Sequence, residues 1–460
     1  MSSWLIPGLS LRSAILLGLV LGATCGLGIN LLGGSALPFV PPLLNYVTRP
    51  LGQIFLSLLT MTVVPLVFAS LAAGVARLGD LKKLGRIGLR TMGFFLVSMA
   101  AAVVIGLVLV NVIRPGVGLS DETRQKLDAA TRDQALPGER KPAQFGIGTL
   151  VNIVPRNPIR AAADMDMLGV IFFALLFGIG ITAIPAKHGE LLLNVLQGIN
   201  EVMVYIIGLA MMLAPVAVFA LIFSVTAELG LELLQMLLMY VVVVLLGLGI
   251  QFFGILPLLT GALARINPYA FLWKARDIAI TAFSTSSSSA TLATSMRIAQ
   301  TQLGIPPQIA GFVLPLGATM NMNGTALFEG VTVLFLAQLT GVELTLGQQG
   351  LVVLLSVLTA IGAAGVPGGS IPLLMMVLAS VGVEPERIGL ILGVDRLLDM
   401  CRTVLNVMGD VCAAAYVAKA EGHAPASLAP VPLPAETQDG NSDGALPTRP
   451  EAEVKVSPPP

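Results

Sequence analysis

The sequence contains few charged residues. Asp, Glu, Lys and Arg make up 11% of the chain, whereas 55% of it is hydrophobic. A soluble protein of this length needs more charge to cover its surface, so the composition favours a chain whose outer surface meets lipid. The net charge is zero, which gives no indication of binding to nucleic acid.

Cysteine and histidine are also scarce. The three cysteines, Cys25, Cys401 and Cys412, lack the spacing of a disulfide framework or a zinc site, and packing as small residues is the simplest interpretation. The two histidines, His188 and His423, are too few for a histidine-based metal site.

Long apolar runs dominate the chain. The run at 13–32 follows Arg12 and is close to the roughly 20 residues that cross a bilayer, so we predict a membrane helix rather than a signal peptide. The pattern predicts an all-α membrane protein with eight transmembrane helices, near 11–32, 43–78, 84–113, 149–186, 191–226, 231–263, 306–337 and 386–418.

Two other apolar regions, near 268–300 and 344–380, are interrupted in the middle by hydroxyl, Gly or Pro residues at 282–292 and 360–371. We interpret them as re-entrant helical hairpins belonging to inverted repeats, with tips that meet near the midplane. Helix N-termini at such tips offer N–H groups that suit a carboxylate. The alternative for the serine run is a polar linker, which its apolar flanks argue against.

The last apolar segment carries a polar stripe. Asp399, Arg402, Thr403, Asn406 and Asp410 follow one another at steps of 3, 1, 3 and 4, which places them along one side of a helix. Ionisable groups are expensive at membrane depth, so the stripe predicts a wet or ligand-lined interior. The alternative is an Asp399–Arg402 ion pair that only locks helices together.

The seventh segment is broken in its middle. Gly317, Asn321, Asn323 and Gly324 interrupt an apolar helix, and an unwound stretch exposes carbonyl oxygens of the kind that sodium prefers. Glu329 is a lone acid in the helix that follows. Burial disfavours its ionised form, so it is a candidate proton carrier, unless it faces a loop or pairs with a lysine.

Basic residues in alternate short loops predict that both termini are cytoplasmic in a multi-pass protein of the plasma (inner) membrane. These residues are Arg77, Lys82, Lys83, Arg86, Arg90, Lys187, Arg265, Lys274 and Arg276. The polar stretch 116–145 is then outside the cell, and 421–460 is predicted to be a disordered cytoplasmic tail.

Four of these stretches, taken together, resemble a known family. The serine-rich tip, Asn-Met-x-Gly-Thr at 321–325, Gly-Val-Pro-Gly at 365–368 and Asp-x-x-Arg-Thr-x-x-Asn-x-x-x-Asp at 399–410 occur in the order found in prokaryotic glutamate transporters, the dicarboxylate/amino acid:cation symporters. The resemblance covers about residues 10–420. It implies a homotrimeric elevator-type transporter that is not an enzyme and needs no cofactor beyond sodium and protons.

The resemblance also implies a division of the chain. Residues 1–80 and 115–228 would form a scaffold and trimerisation domain, while 81–114 and 229–420 would form a mobile transport domain that includes both hairpins. The hairpin tip near 360–371 would act as a gate.

Residue roles carry over position by position. The substrate contacts implied are Ser287, Ser288, Met322, Thr325, Val366, Gly369, Ser370, Asp399, Arg402, Thr403 and Asn406. Asp399 would hold an ammonium group and Arg402 a side-chain carboxylate. The sodium contacts implied are Gly317, Thr319, Asn321, Met322, Ala360, Ile361, Ala363, Asn406 and Asp410, and the proton carrier is Glu329.

Some positions depart from the family pattern. Asn323 and Val97 stand where the family has oxygen ligands of a third, deep sodium site. Ser286 and Met400 occupy the two places where the family puts an arginine that braces the aspartate, so Asp399 is expected to lack this partner. We therefore expect fewer sodium ions and a cotransported proton.

Three classes of function bear on these motifs. Symport of aspartate or glutamate satisfies both Asp399 and Arg402, because these substrates carry an ammonium group and a second carboxylate. The alternative is a C4-dicarboxylate symporter for succinate, malate or fumarate, in which a neutral residue is expected at position 399. An intramembrane serine hydrolase would need a base near the serine run, and neither His188 nor His423 lies in a motif.

Overall fold

The computed structural model describes residues 11–34, 37–118, 154–164, 166–363, 365 and 368–423. Every regular element within these residues is a helix, which confirms the predicted all-α fold. Within this described part of the chain, six helices are long and apolar enough to cross a membrane. The remaining two predicted segments, four and eight, correspond to a shorter apolar helix of 17 residues and a more polar one of 29 residues.

The first half of the described chain contains α1 (Leu11–Leu31), α2 (Val40–Leu43), α3 (Arg49–Leu84), α4 (Arg86–Ile113), α5 (Pro158–Ala163), α6 (Met167–Ala183) and α7 (Ala186–Leu229). One π-helical turn, Leu44–Thr48, joins α2 to α3. The predicted outside stretch at 116–145 falls mostly within 119–153, outside the described residues, as do residues 424–460 of the predicted tail.

The second half contains α8 (Leu231–Ile250), a π-helical turn (Gln251–Ile255), α9 (Leu256–Ala264), α10 (Pro268–Lys274), α11 (Arg276–Thr285), α12 (Ser288–Thr301), α13 (Pro307–Met320), α14 (Asn323–Leu339), α15 (Leu346–Gly362), α16 (Ile371–Ser380), a 3-10 turn (Pro385–Leu390) and α17 (Leu392–Ala420). A helical hairpin followed by a helical segment of membrane-spanning length therefore occurs twice in succession, first as α11–α12 with α13–α14 and then as α15–α16 with α17.

Both predicted hairpins are present, and we call α11–α12 hairpin 1 and α15–α16 hairpin 2. Hairpin 1 turns at Ser286, whose φ of 50° is left-handed, and Ser287 caps α12 by accepting a hydrogen bond from the Ala290 N–H. Thr345 begins α15 with a capping box that it forms with Gln348. The break predicted in segment seven is confirmed, because Asn321 and Met322 leave helical geometry between α13 and α14.

The helices pack in two main groups. Helix α7 contacts α1, α3 and α6, and α3 also contacts α6. A second group contains α4, hairpin 1, α13, α14 and α17. Hairpin 2 contacts α3 through both of its arms. Helix α14 lies deepest, since every residue of it except Gln338 is buried. The polar stripe of α17 therefore faces the interior between α13, α14 and hairpin 1.

Candidate functional site

Four buried charges of alternating sign lie on the first turns of α17, and we call Asp395, Arg396, Asp399 and Arg402 the charged cluster. Arg402 Nη2 lies 2.9 Å from both Asp395 Oδ1 and Asp399 Oδ1, and Arg396 Nη1 lies 3.3 Å from Asp399 Oδ2. Helical spacing allows this, because residues three, four and seven apart share one face.

Arg402 is the most deeply buried member of the charged cluster, with 0% of its surface exposed. Its guanidinium carbon lies 3.8 Å from the centre of the Phe328 ring. Its Nε and Nη1 are buried and have no hydrogen-bond partner among the described residues. Two unused donors on a buried cation fit an anionic ligand, because a bare donor at such a site is costly.

The structure corrects one expectation about Asp399. Ser286 and Met400 predict an aspartate without a bracing arginine, whereas Arg396, three residues before Asp399, contacts it. Asp395 and Arg396 are site residues that the sequence analysis missed. Asp395 lies four residues before Asp399 and seven before Arg402, so the helical spacing that identified the stripe could have found it.

The break between α13 and α14 joins directly to α17. The Asn406 side-chain oxygen accepts hydrogen bonds from the Gly324 N–H at 2.7 Å and the Thr325 N–H at 3.4 Å, while its Nδ2 donates to Thr325 Oγ1 and Met322 Sδ. A Cβ atom on Gly324 would collide with the backbone of Arg402. The predicted substrate contacts Met322, Thr325, Arg402 and Asn406 are thus brought together, and Thr403 donates to the Asp399 carbonyl at 2.8 Å.

The first predicted sodium cluster also comes together. Asn321 Nδ2 donates to Asp410 Oδ1 at 2.8 Å, and Asn321 Oδ1 is buried with no partner in the described part of the chain. Gly317 packs directly on the Asp410 carboxylate, since a Cβ at this glycine would overlap it. Asn406 lies one turn before Asp410 on the same face. Buried oxygens around one carboxylate suit a hard cation.

The second predicted sodium cluster is gathered only in part. Thr319, Ile361 and Ala363 line one cavity of about 70 Å³, together with Ser70, Ala73, Gly74, Arg77, Gln197, Asn200 and Met320. Ala360 is buried one residue before this lining, and Met322 instead receives the side chain of Asn406. The cavity lies where α13 and hairpin 2 approach α3 and α7.

The two hairpin tips touch each other. Ser287 Oγ donates to the Gly365 carbonyl at 2.7 Å, and the Ser289 N–H approaches the same oxygen at 3.3 Å. Ser288, Gly369 and Ser370 are buried at the tips. Gly365 also packs against the Ala318 carbonyl of α13, so three elements meet at this glycine. The predicted contact Val366 lies outside the described residues.

Glu329 is completely buried in α14, so the alternative that it faces a loop is wrong. Thr359 of hairpin 2 donates a hydrogen bond of 2.6 Å to Glu329 Oε2, and Glu329 Oε1 is buried with no partner in the described residues. Its partner is thus a hydroxyl, which the sequence analysis missed because the two residues are 30 positions apart and belong to different elements.

The two departures at the deep sodium site differ in their placement. Asn323 is completely buried, and both polar atoms of its side chain lack partners among the residues described here. Val97 is 58% exposed on α4, beside Leu259 and Leu263. The next residue, Ser98, faces inward and accepts hydrogen bonds from Gln251.

These motifs and their placement agree with a comparison of the whole chain. The profile of the sodium:dicarboxylate symporter family matches residues 11–420. The chain belongs to this family. The family comprises helical elevator-type transporters, which confirms the resemblance identified in the sequence and makes the chain a multi-pass membrane protein.

Individual symporters are similar over almost their full length. The proton/glutamate-aspartate symporter of Escherichia coli (strain K12) is 36% identical, over 90% of this chain and 93% of its own. The proton/sodium-glutamate symport protein of Bacillus caldotenax is 36% identical, over 89% and 94%. The C4-dicarboxylate transport protein of Rhodospirillum rubrum is 32% identical, over 86% and 87%.

Proposed function

We propose that the protein is a secondary active symporter that imports L-aspartate or L-glutamate together with sodium ions and a proton. The observation that carries the proposal is the buried Asp399–Arg402 pair, in which Arg402 keeps Nε and Nη1 unused among the described residues. A ligand with both an ammonium group and a second carboxylate offers a partner to each of these two charges.

Relatives support this substrate class. Two bacterial relatives at 36% identity are named as glutamate-aspartate or glutamate symporters, each coupled to protons or to protons and sodium. A hydrolase that uses a serine nucleophile is not proposed, because the Ser287 hydroxyl donates to the Gly365 carbonyl and accepts from the Ala290 N–H at the cap of α12. The protein is a transporter and not an enzyme.

Cation coupling follows from the oxygens around the break. Asp410, Asn321, Asn406 and Gly317 form the first sodium site of the proposal, and carbonyls near Thr319, Met322, Ala360, Ile361 and Ala363 form the second. The contact between Asn321 and Asp410 supports the first, and the shared cavity of Thr319, Ile361 and Ala363 supports the second. Glu329 carries the proton, which suits a buried acid whose partner is a neutral hydroxyl.

A C4-dicarboxylate symporter is the second candidate, favoured by the relative from Rhodospirillum rubrum. A substrate without an ammonium group would leave Asp399 with Arg396 alone when Arg402 turns to the substrate, and Asp399 Oδ1 would lose its partner. Asp399 therefore favours an amino acid over succinate. Uptake of aspartate and of succinate, measured in the same assay, separates the two candidate functions.

The proposal includes the division into domains. Residues 1–80 and 115–228 form the scaffold of a homotrimer, and residues 81–114 and 229–420 form the transport domain. The contacts among α1, α3, α6 and α7, and those among α4, α13, α14 and α17, support this grouping. Both termini face the cytoplasm from the inner membrane, in agreement with the basic loops at 77–90 and 265–276.

Reconstitution in liposomes tests the proposal. We expect the purified full chain to accumulate labelled L-aspartate when sodium and proton gradients are both directed inward, and excess L-glutamate to compete. Separate gradients resolve the coupling ions, and succinate and serine serve as competitors. Absence of aspartate uptake under all of the gradients would contradict the proposal. Uptake of succinate but not of aspartate would favour the C4-dicarboxylate symporter.

A further inference from the structure

The charged cluster contains an arginine that no substrate role has been assigned to. Arg396 Nη1 lies 3.3 Å from Asp399 Oδ2, whereas the other oxygen of the same carboxylate, Oδ1, receives Arg402. Each oxygen of Asp399 is therefore held by a different guanidinium. Both arginines and both aspartates are buried, so solvent screens these contacts little.

The pairs that surround Asp399 and Arg402 are arranged symmetrically along α17. Arg402 contacts Asp395 as well as Asp399, and Asp399 contacts Arg396 as well as Arg402. If a ligand separates Asp399 from Arg402, each of the two still keeps one partner of opposite charge. This matters because a buried charge that loses its only partner is strongly destabilising.

We propose that Arg396 is a positioning residue for substrate recognition, which acts by holding Asp399 in place while Asp399 exchanges Arg402 for the ammonium group of the substrate. The inference rests on the proposed function, since it concerns the same site. A carboxylate can accept several hydrogen bonds, so Oδ2 stays with Arg396 while Oδ1 becomes available to the ammonium group.

The experiment measures binding and uptake by the full chain in liposomes with Arg396→Gln and Arg396→Lys. We expect Arg396→Gln to weaken aspartate binding about 10-fold to 100-fold, because it removes a charge-assisted contact to the binding carboxylate. The ratio of aspartate to succinate affinity should fall with it, since the ammonium-binding group is the one disturbed. Arg396→Lys keeps the charge and should restore part of the loss.

Arg387→Gln is the matched control. Arg387 Nε contacts Glu384 Oε2 at 2.9 Å across three residues, so this variant also removes a buried guanidinium from an i, i+3 pair just before α17. We expect it to leave the aspartate-to-succinate ratio unchanged. A loss of affinity in both variants with no change of ratio would mark Arg396 as structural and overturn the inference.

The outcomes separate this inference from the proposed function. A wild-type chain that binds no acidic amino acid contradicts the proposed function, and the inference falls with it. A wild-type chain that binds aspartate, beside a folded Arg396→Gln chain that keeps the wild-type affinity ratio, contradicts the inference alone. Folding of each variant is checked by size-exclusion elution and thermal unfolding.

Discussion

The guanidinium of Arg402 lies 3.8 Å from the centre of the Phe328 ring, with both residues buried between α14 and α17. The ring covers one face of the planar cation, and Asp395 and Asp399 hold one of its nitrogens at the edge. The remaining nitrogens, Nε and Nη1, keep fixed directions. Arg402 is thus held in place before any ligand arrives, which limits the entropy that binding must remove.

Arg402→Cys should change substrate class. The variant removes the cation that would pair with a side-chain carboxylate, so we expect aspartate affinity to fall about 100-fold or more and neutral amino acids to become substrates. Uptake of labelled aspartate and of labelled serine, each measured with the other amino acid as competitor, gives the change in selectivity. Retained selectivity for aspartate would remove Arg402 from the proposed role, and Arg276→Gln, at an exposed arginine of hairpin 1, serves as control.

Glu329→Gln should remove the dependence of uptake on external pH. In the wild type we expect uptake to rise as the external pH falls, because the proton is carried inward with the substrate. Glutamine stays neutral and neither binds nor releases a proton, so the pH profile becomes flat while sodium dependence remains. Uptake at several external pH values measures the effect.

The exposed Glu343, in the loop between α14 and α15, provides the control for this prediction. Glu343→Gln removes one carboxylate of the same type outside the buried region and should keep the wild-type pH profile. An unaltered pH slope in Glu329→Gln would leave the proton carrier elsewhere in the chain.

Gly317→Ala should weaken sodium activation. The added Cβ overlaps the Asp410 carboxylate, so either the carboxylate or α13 has to move, and overpacking of this kind costs about 1–3 kcal/mol. We expect the sodium concentration for half-maximal uptake to rise about tenfold if that strain falls on the cation site. Gly311→Ala is the matched control on α13, since a Cβ at Gly311 meets no atom within 4 Å.

Asn323→Asp should increase sodium coupling. Both polar atoms of the Asn323 side chain are buried without partners in the described chain, and a Cβ on Gly409 would meet its amide, so the side chain faces α17 close to Asn321. A carboxylate there is unstable unless a cation joins it. We expect about one more sodium ion per substrate, seen as a steeper sodium dependence. An unchanged sodium slope in a folded variant would contradict this.

Much of the fold could be predicted because lipid and backbone chemistry leave few solutions. The apolar runs, the interruptions at 282–292 and 360–371 and the break at 321–324 all mark helices or their ends, and the structure has helix ends at these places. The observed helix ends differ from the predicted ones where polar residues continue a helix. The helix expected at 191–226 extends over Ala186–Leu229, and the hairpin region near 268–300 begins with the separate helix α10.

The polar stripe of α17 could be predicted because its residues share one helix, although Asp395 and Arg396 on the same helix were missed. Asp399 to Asp410 follow from spacing alone, and the same spacing would have found Asp395. The contacts of Glu329 with Thr359 and of Arg402 with Phe328 join separate elements, and no local pattern reports which elements face each other. Arg396 was missed because charged residues at the start of a helix ordinarily face solvent, whereas here the 3-10 turn and α7 cover that end.

Gly368 lies in the tip of hairpin 2 and has a φ of 77°. It packs closely on α7, and a Cβ at this glycine would lie 3.2 Å from Met211 Sδ. The tip of hairpin 2 therefore packs against the side chains of α7 in this arrangement. If hairpin 2 is the gate of the proposed elevator mechanism, we expect it to open only after the proposed transport domain has moved relative to α7. In the proposed transporter, Met211 would couple the opening of hairpin 2 to that movement, and so limit leakage of the coupling ions.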